Sequence, residues 1–161
     1  MTHAADFPKR LPLTAWIVGR RDGRFDLLGE YEPGAVRADL LHVLEGEYLE
    51  LVDAVAWECH RPGRWWTLRG VATVLGEHEL AAAWWEQRPA RMVATPADWL
   101  AQPLTSFVIV DWSTDINAAI GAAPGVVCDT PALACRLRRT LIEQAMPKLP
   151  ITVLGHRRVV A

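Results

Sequence analysis

The segment 104–110 constrains the fold most strongly, because nearly all of its side chains are apolar. A strand with one face in water alternates between apolar and polar residues, whereas a strand that is apolar throughout is buried on both faces. The segment therefore predicts a strand in the centre of a sheet. We expect Ile109, in the middle of this strand, to be fully buried.

Two antiparallel hairpins are expected before this strand. Residues 13–19 are rich in β-branched and aromatic side chains, and an Asp-Gly turn separates them from a return strand over residues 24–31. Residues 49–57 alternate between apolar and acidic side chains, which is typical of a half-buried strand. Residues 65–75 are expected to pair back with it.

Apolar residues at helical spacing, together with capping residues, predict five helices. Four of them cover residues 35–44, 77–88, 114–120 and 130–146, and the fifth is a short helix that begins at Thr95. Residues 151–160 are predicted to form a last strand.

The order of these elements predicts a mixed α+β fold in one domain over residues 1–161, with residues 1–10 as a flexible N-terminal segment. One sheet would be built from the two N-terminal hairpins and a C-terminal strand–helix–strand crossover. Helices would pack on at least one face of this sheet.

Composition excludes several classes of protein. The 161 residues are 51% hydrophobic and 22% charged, which excludes general disorder, and the formal net charge of −2 excludes a polybasic nucleic-acid or membrane binder. Residues 1–10 lack the apolar stretch of a signal peptide, and no apolar run approaches the ~20 residues of a membrane span. Three cysteines argue against a disulfide framework. We therefore expect a soluble cytoplasmic protein with no membrane association.

Asp111, Ser113 and Asp115 are the best candidates for catalysis, because they directly follow the apolar strand. Ligands of sheets with crossovers bind beyond the carboxyl ends of central strands. Two carboxylates with a hydroxyl between them could hold Mg²⁺ or Mn²⁺, as in a phosphoesterase or nuclease-like hydrolase. The same residue types also cap short helices, and no glycine-rich phosphate loop supports the catalytic interpretation. We expect the capping role, and neither a cofactor nor a catalytic residue.

Eight tryptophans include two adjacent pairs. Trp65 and Trp66 lie on a predicted strand, so their side chains point to opposite faces of the sheet. Only one indole can enter a one-sided core, and the other must be covered by a second layer, a helix or a partner. Trp84 and Trp85 lie on a predicted helix and are expected to contact the edge of the sheet.

Charge is unevenly distributed along the chain. Residues 26–58 carry nine acidic side chains and one base, a net charge of −8, whereas residues 121–161 carry a net charge of +4. The acidic stretch could steer a basic protein partner. The six scattered bases of the C-terminal stretch are a weak nucleic-acid signal.

These patterns together favour an interaction module over an enzyme. The module would bind or occlude a protein partner, for example one with a basic or nucleic-acid-binding surface, without binding nucleic acid directly. Its partner-binding residues would be acidic and aromatic side chains of the second hairpin and the segment before it: Trp65, Trp66, Glu45, Glu47, Glu50 and Asp53. The metal-dependent hydrolase built on Asp111 and Asp115 is the alternative.

Overall fold

The N-terminal half of the chain forms an antiparallel sheet of five strands. The computed structural model describes residues 12–45, 50–121 and 123–145. The strands are β1 (Leu13–Gly19), β2 (Phe25–Leu28), β3 (Val36–Glu45), β4 (Glu50–Glu58) and β5 (Arg61–Thr67), in the order β2-β1-β3-β4-β5. The first predicted hairpin is confirmed as β1 and β2.

This sheet curls until its two edge strands meet. The backbone N–H of Thr67, at the end of β5, donates a 2.9 Å hydrogen bond to the carbonyl of Gly23, just before β2. The inner face holds a buried apolar cluster that includes Ile17, Phe25 and Trp66. Gly19 is required there, because a Cβ at this position would collide with the indole ring of Trp66.

Strand β3 replaces the helix expected over residues 35–44, and that prediction is wrong. Leu40 and Leu41 are adjacent and both buried, the first in the inner cluster and the second in the cluster on the outer face. A strand covered on both faces carries apolar side chains at successive positions. The period of two is thereby lost, and the remaining pattern resembles helical spacing.

The C-terminal half alternates strands and helices. The elements are β6 (Val74–Leu75), α1 (Glu77–Trp85), β7 (Ala90–Met92), α2 (Pro96–Ala101), β8 (Val108–Ile109), α3 (Ile116–Ile120), β9 (Val126–Cys128) and α4 (Pro131–Ala145). Strand β6 is antiparallel to β8, β9 is parallel to β7, and a parallel bridge between Met92 and Phe107 joins β7 to β8. The resulting order β6-β8-β7-β9 is called the mixed sheet below.

The mixed sheet is covered on both faces. Residues of α1, α3 and α4 pack against one face, in a cluster that includes Ile109. The outer face of the five-stranded sheet, with α2, packs against the other face, in a cluster that includes Val108. Ile109 is fully buried, which confirms the prediction, although Leu104 and Thr105 are exposed and precede the strand.

The mixed α+β class is confirmed, but the strands divide between two sheets that pack face to face. The strand predicted after the second turn begins at Arg61 and ends at Thr67, and Val74–Leu75 pairs with β8 rather than with β4. Thr95 begins α2 with a capping box, as expected. Residues 151–160 lie outside the described residues. Within the described part of the chain, no helix is long and apolar enough to cross a membrane.

Candidate functional site

Trp65 and Trp66 point to opposite faces of β5, as predicted; the mixed sheet covers the outer face, and the curl of the five-stranded sheet encloses the inner face. Trp66 is buried in the inner cluster, with the Arg64 guanidinium 5.3 Å from its ring centroid. Trp65 is half-buried between the two sheets, where its Nε1 donates a 2.8 Å hydrogen bond to the carbonyl of Val110. Trp66 therefore belongs to the inner cluster and Trp65 packs in part between the sheets, and contact of these two indoles with a partner stays a prediction.

Asp53, another residue of the partner surface expected from the sequence, is fully buried in the structure. Its carboxylate accepts hydrogen bonds of 2.7–2.8 Å from four backbone N–H groups, those of Ala54, Arg69, Val71 and Ala72. Burial alone would raise the pKa of this carboxyl, but the four donors favour its charged form and hold the pKa below its ordinary value. Asp53 therefore fixes the segment between the two sheets.

Other acidic side chains of the expected surface are partnered within the fold. Glu58 forms an ion pair of 3.2 Å with Arg64, and Asp26 lies 3.7 Å from Arg20. Glu45 and Glu50 are paired by backbone register at the ends of β3 and β4. The side chains of Glu45 and Glu50, and all of Glu47, lie outside the described residues. Glu30 and Glu32 of the same stretch, in contrast, are exposed and form no ion pair with a described residue.

The candidate catalytic residues occupy the loop after β8, at the edge where the parallel strands β7, β8 and β9 end. The carboxylate of Asp111 accepts hydrogen bonds from the backbone N–H of Ser113 at 2.8 Å and from its hydroxyl at 2.6 Å. Asp115 is the N-cap of α3 and accepts a 3.0 Å hydrogen bond from the N–H of Ala118. Both carboxylates therefore stabilise the loop and the helix start.

Metal ligands are not concentrated at this loop. Over residues 12–45, 50–121 and 123–145, the structure contains no group of three or more His, Cys, Asp or Glu side chains that could hold a metal ion. The proposal that Asp111 and Asp115 bind Mg²⁺ or Mn²⁺ rests on their spacing in the sequence, and a measurement that tests it is given below.

A groove of about 850 Å³ lies beside this loop, between α3, α4 and β9. Gln144 of α4 fixes one side of it, because its amide donates to the carbonyl of Thr114 at 2.6 Å and accepts from the N–H of Ile116 at 3.0 Å. The floor is largely apolar and includes Val126, Leu137 and Leu141.

Trp112 and Arg136 form a stacked pair at the same edge of the mixed sheet. The guanidinium carbon of Arg136 lies 3.9 Å from the centroid of the Trp112 ring. The Nε1 of Trp112 is buried and, alone among the buried side-chain N and O atoms of the described residues, has no hydrogen-bond partner. Burial and the charge of Arg139 lower the pKa of Arg136.

Trp84 and Trp85, which were expected to contact the edge of the sheet, are exposed in the structure. Their side chains are 46% and 77% exposed, and their rings contact each other edge to face with centroids 4.8 Å apart. The buried side of α1 is formed by Glu79, Leu80 and Ala83. The expectation that both indoles contact the sheet is wrong, because Ala83 rather than a tryptophan faces the core. The three-residue spacing of Leu80 and Ala83 was the sequence signal that could have identified the buried side of α1.

A buried ion pair holds the C-terminal end of α1. The carboxylate of Glu79, only 1% exposed, accepts hydrogen bonds of 2.6 and 2.9 Å from the two terminal nitrogens of Arg88. These hydrogen bonds lower the pKa of Glu79. They also fix the turn after the helix, where Gln87 adopts a left-handed conformation with φ of 52°. The tryptophan pair is therefore carried by a well-anchored helix end.

No protein-family model matches the chain, and no curated protein or solved structure matches it significantly.

Proposed function

We propose that this protein is a cytoplasmic interaction module without catalytic activity, and that Trp84 and Trp85 form its contact with a protein partner. The exposure of the two indoles, 46% and 77%, carries the proposal. The other six tryptophans are buried or partly buried, so the pair on α1 is distinct within the chain.

Trp84 and Trp85 leave a large apolar surface area exposed to water. An indole buries roughly 150–250 Å² when fully covered, so covering the exposed parts of both rings would contribute on the order of 5 kcal/mol to an interface. Tryptophan is the residue most enriched at energetic centres of interfaces. The edge-to-face contact between the rings and the Glu79–Arg88 anchor reduce the entropy lost on binding.

The charge around the pair indicates the chemistry of the partner. Residues 77–88 carry three acids and one base, a net charge of −2. Arg88 forms ion pairs with both Glu79 and Glu86, so these three side chains together keep one negative charge, and Glu77 adds a second on the exposed side of α1. The partner would therefore present an apolar pocket bordered by basic side chains, such as those of a nucleic-acid-binding surface. The partner surface that we propose is acidic and rich in tryptophan, as the sequence predicts, but it lies on α1 rather than on the second hairpin.

Site-specific photo-crosslinking in cells tests this proposal. A benzophenone amino acid in place of Trp85 should give a discrete adduct with one protein, identified by mass spectrometry. The matched control carries the same residue in place of Tyr31, an aromatic side chain 63% exposed on the opposite half of the chain. No adduct at position 85, or the same adducts from both positions, would contradict the proposal.

A further inference from the structure

Two side chains whose N–H donors have no acceptor among the described residues, Trp112 and Arg136, meet at the carboxyl edge of the mixed sheet. Trp112 follows β8 by three residues, and Arg136 lies in the second turn of α4 with its guanidinium stacked on the Trp112 ring at 3.9 Å. This arrangement joins the loop after a central strand to the helix that follows the edge strand β9.

The Trp112 indole has a donor that the described residues leave unused. Its Nε1–H is buried and has no acceptor. Buried donors in folded proteins are nearly always paired, so an unpaired one requires an explanation. The Nε1–H of Trp65, in contrast, is satisfied by the carbonyl of Val110.

Arg136 has no counter-charge among the described acidic side chains. The ion pairs formed by the described arginines involve other residues, and Asp129, which follows β9, is paired with Arg91 at 2.9 Å. The carboxylates of Asp111 and Asp115 are engaged by Ser113 and Ala118 within their own loop. Arg139, whose charge acts on Arg136, adds further positive potential.

We propose that Trp112 and Arg136 form a binding site for a phosphate group. The guanidinium would bind two phosphate oxygens through its planar fork, the geometry in which arginine binds phosphate most strongly. The indole Nε1–H, which is buried in the structure, would donate to a third oxygen once the side chains that cover it move. The edge of the sheet at which the pair lies is where ligands of such sheets bind.

Isothermal titration of the full chain with inorganic phosphate tests the site, and phenyl phosphate tests whether a monoester is preferred over the free ion. The unmodified protein should give a saturable isotherm, and Arg136→Gln should weaken binding by about tenfold or more. Arg138→Gln is the matched control, because Arg138 is an exposed arginine of the same helix whereas the guanidinium stacked on Trp112 is that of Arg136, and binding should stay within about twofold. Tighter binding of phenyl phosphate would identify a monoester, and equal binding would identify the phosphate group alone.

Trp112→Phe separates the two donors, because phenylalanine keeps an aromatic ring under Arg136 and removes the Nε1–H together with the pyrrole part of the indole. It should weaken phosphate binding severalfold, and because Trp112 packs against the core cluster the variant should also melt at a somewhat lower temperature, so binding is measured well below that temperature. The assigned indole ¹H–¹⁵N resonance of Trp112 should shift on titration. Absence of binding, equal losses from Arg136→Gln and Arg138→Gln, or a Trp112 resonance that does not respond to phosphate would overturn the proposal. If Arg136→Gln fails to fold, Arg136→Lys replaces it, with the same loss expected because lysine lacks the planar fork.

Discussion

The Nε1 of Trp65 donates a 2.8 Å hydrogen bond to the backbone carbonyl of Val110, and this bond joins the outer face of β5 to the end of β8. The two residues belong to different sheets and are separated by 45 positions in the chain. The hydrogen bond explains why a tryptophan, and not another aromatic residue, occupies this position: its ring fills the space between the sheets while its N–H satisfies a carbonyl there.

Trp65→Phe should destabilise the fold by ~1–3 kcal/mol, because the carbonyl of Val110 loses its buried donor. Urea denaturation measures this loss. Trp16→Phe is the control: Trp16 contacts Tyr31 edge to face, and its indole nitrogen has no hydrogen bond to a described residue, so we expect a smaller loss. Equal losses in the two variants would show that the bond to Val110 contributes nothing specific.

Ile109→Ala should cost ~2–5 kcal/mol, because the side chain is fully buried between the mixed sheet and its helices. Leu104→Ala removes a side chain of similar size that is 61% exposed, and it should change the free energy of unfolding by about 0.5 kcal/mol or less. A loss below about 1 kcal/mol for Ile109→Ala would contradict the layered arrangement.

Asp53→Asn should destabilise the protein by several kcal/mol at neutral pH, because four backbone donors then face a neutral amide in place of a carboxylate. The pKa of Asp53 is lower in the folded state, so its contribution is complete above the unfolded value of ~3.9 and is lost as the pH falls through the folded value. The stability difference between the unmodified protein and Asp53→Asn should therefore shrink below about pH 4. Urea titrations at several pH values measure it, and a constant difference would contradict the assignment.

Asp115→Asn distinguishes a helix cap from a metal ligand. If Asp115 acts as the N-cap of α3, removing its charge should lower the free energy of unfolding by only ~0.3–1 kcal/mol, and this loss should not depend on Mn²⁺. As a metal ligand next to Asp111, its replacement should stabilise the metal-free protein or leave it unchanged, and should abolish any rise in melting temperature caused by Mn²⁺. Thermal melts with and without Mn²⁺ decide between the two, and we expect the first result.

The sequence was sufficient to predict elements whose signals are local. The β1–β2 hairpin follows from an Asp-Gly turn, α2 from its capping box at Thr95, and the burial of Ile109 from a nearly all-apolar segment. Each of these signals acts within a few residues, so no knowledge of the tertiary structure is needed.

The rest could not be predicted, because it depends on contacts between distant segments. β3 resembles a helix in sequence, since the mixed sheet covers the face of β3 that would otherwise be polar. Asp53 resembles a surface acid, but the four N–H groups that surround it come mainly from residues 69–72, which approach only in the folded chain. The exposure of Trp85 depends on which side of α1 faces the mixed sheet.

The affinity of the protein captured at position 85 for matched variants tests the central claim most directly. Trp84→Ser/Trp85→Ser should weaken binding by about 30-fold or more, as expected when two interface tryptophans are lost, while the melting temperature changes little because both side chains are largely exposed. Tyr31→Ser removes an exposed aromatic side chain from the five-stranded half and should leave the affinity unchanged. A double variant that binds as tightly as the unmodified protein, or a Tyr31→Ser variant that loses as much affinity, would contradict a binding function for the tryptophan pair of α1.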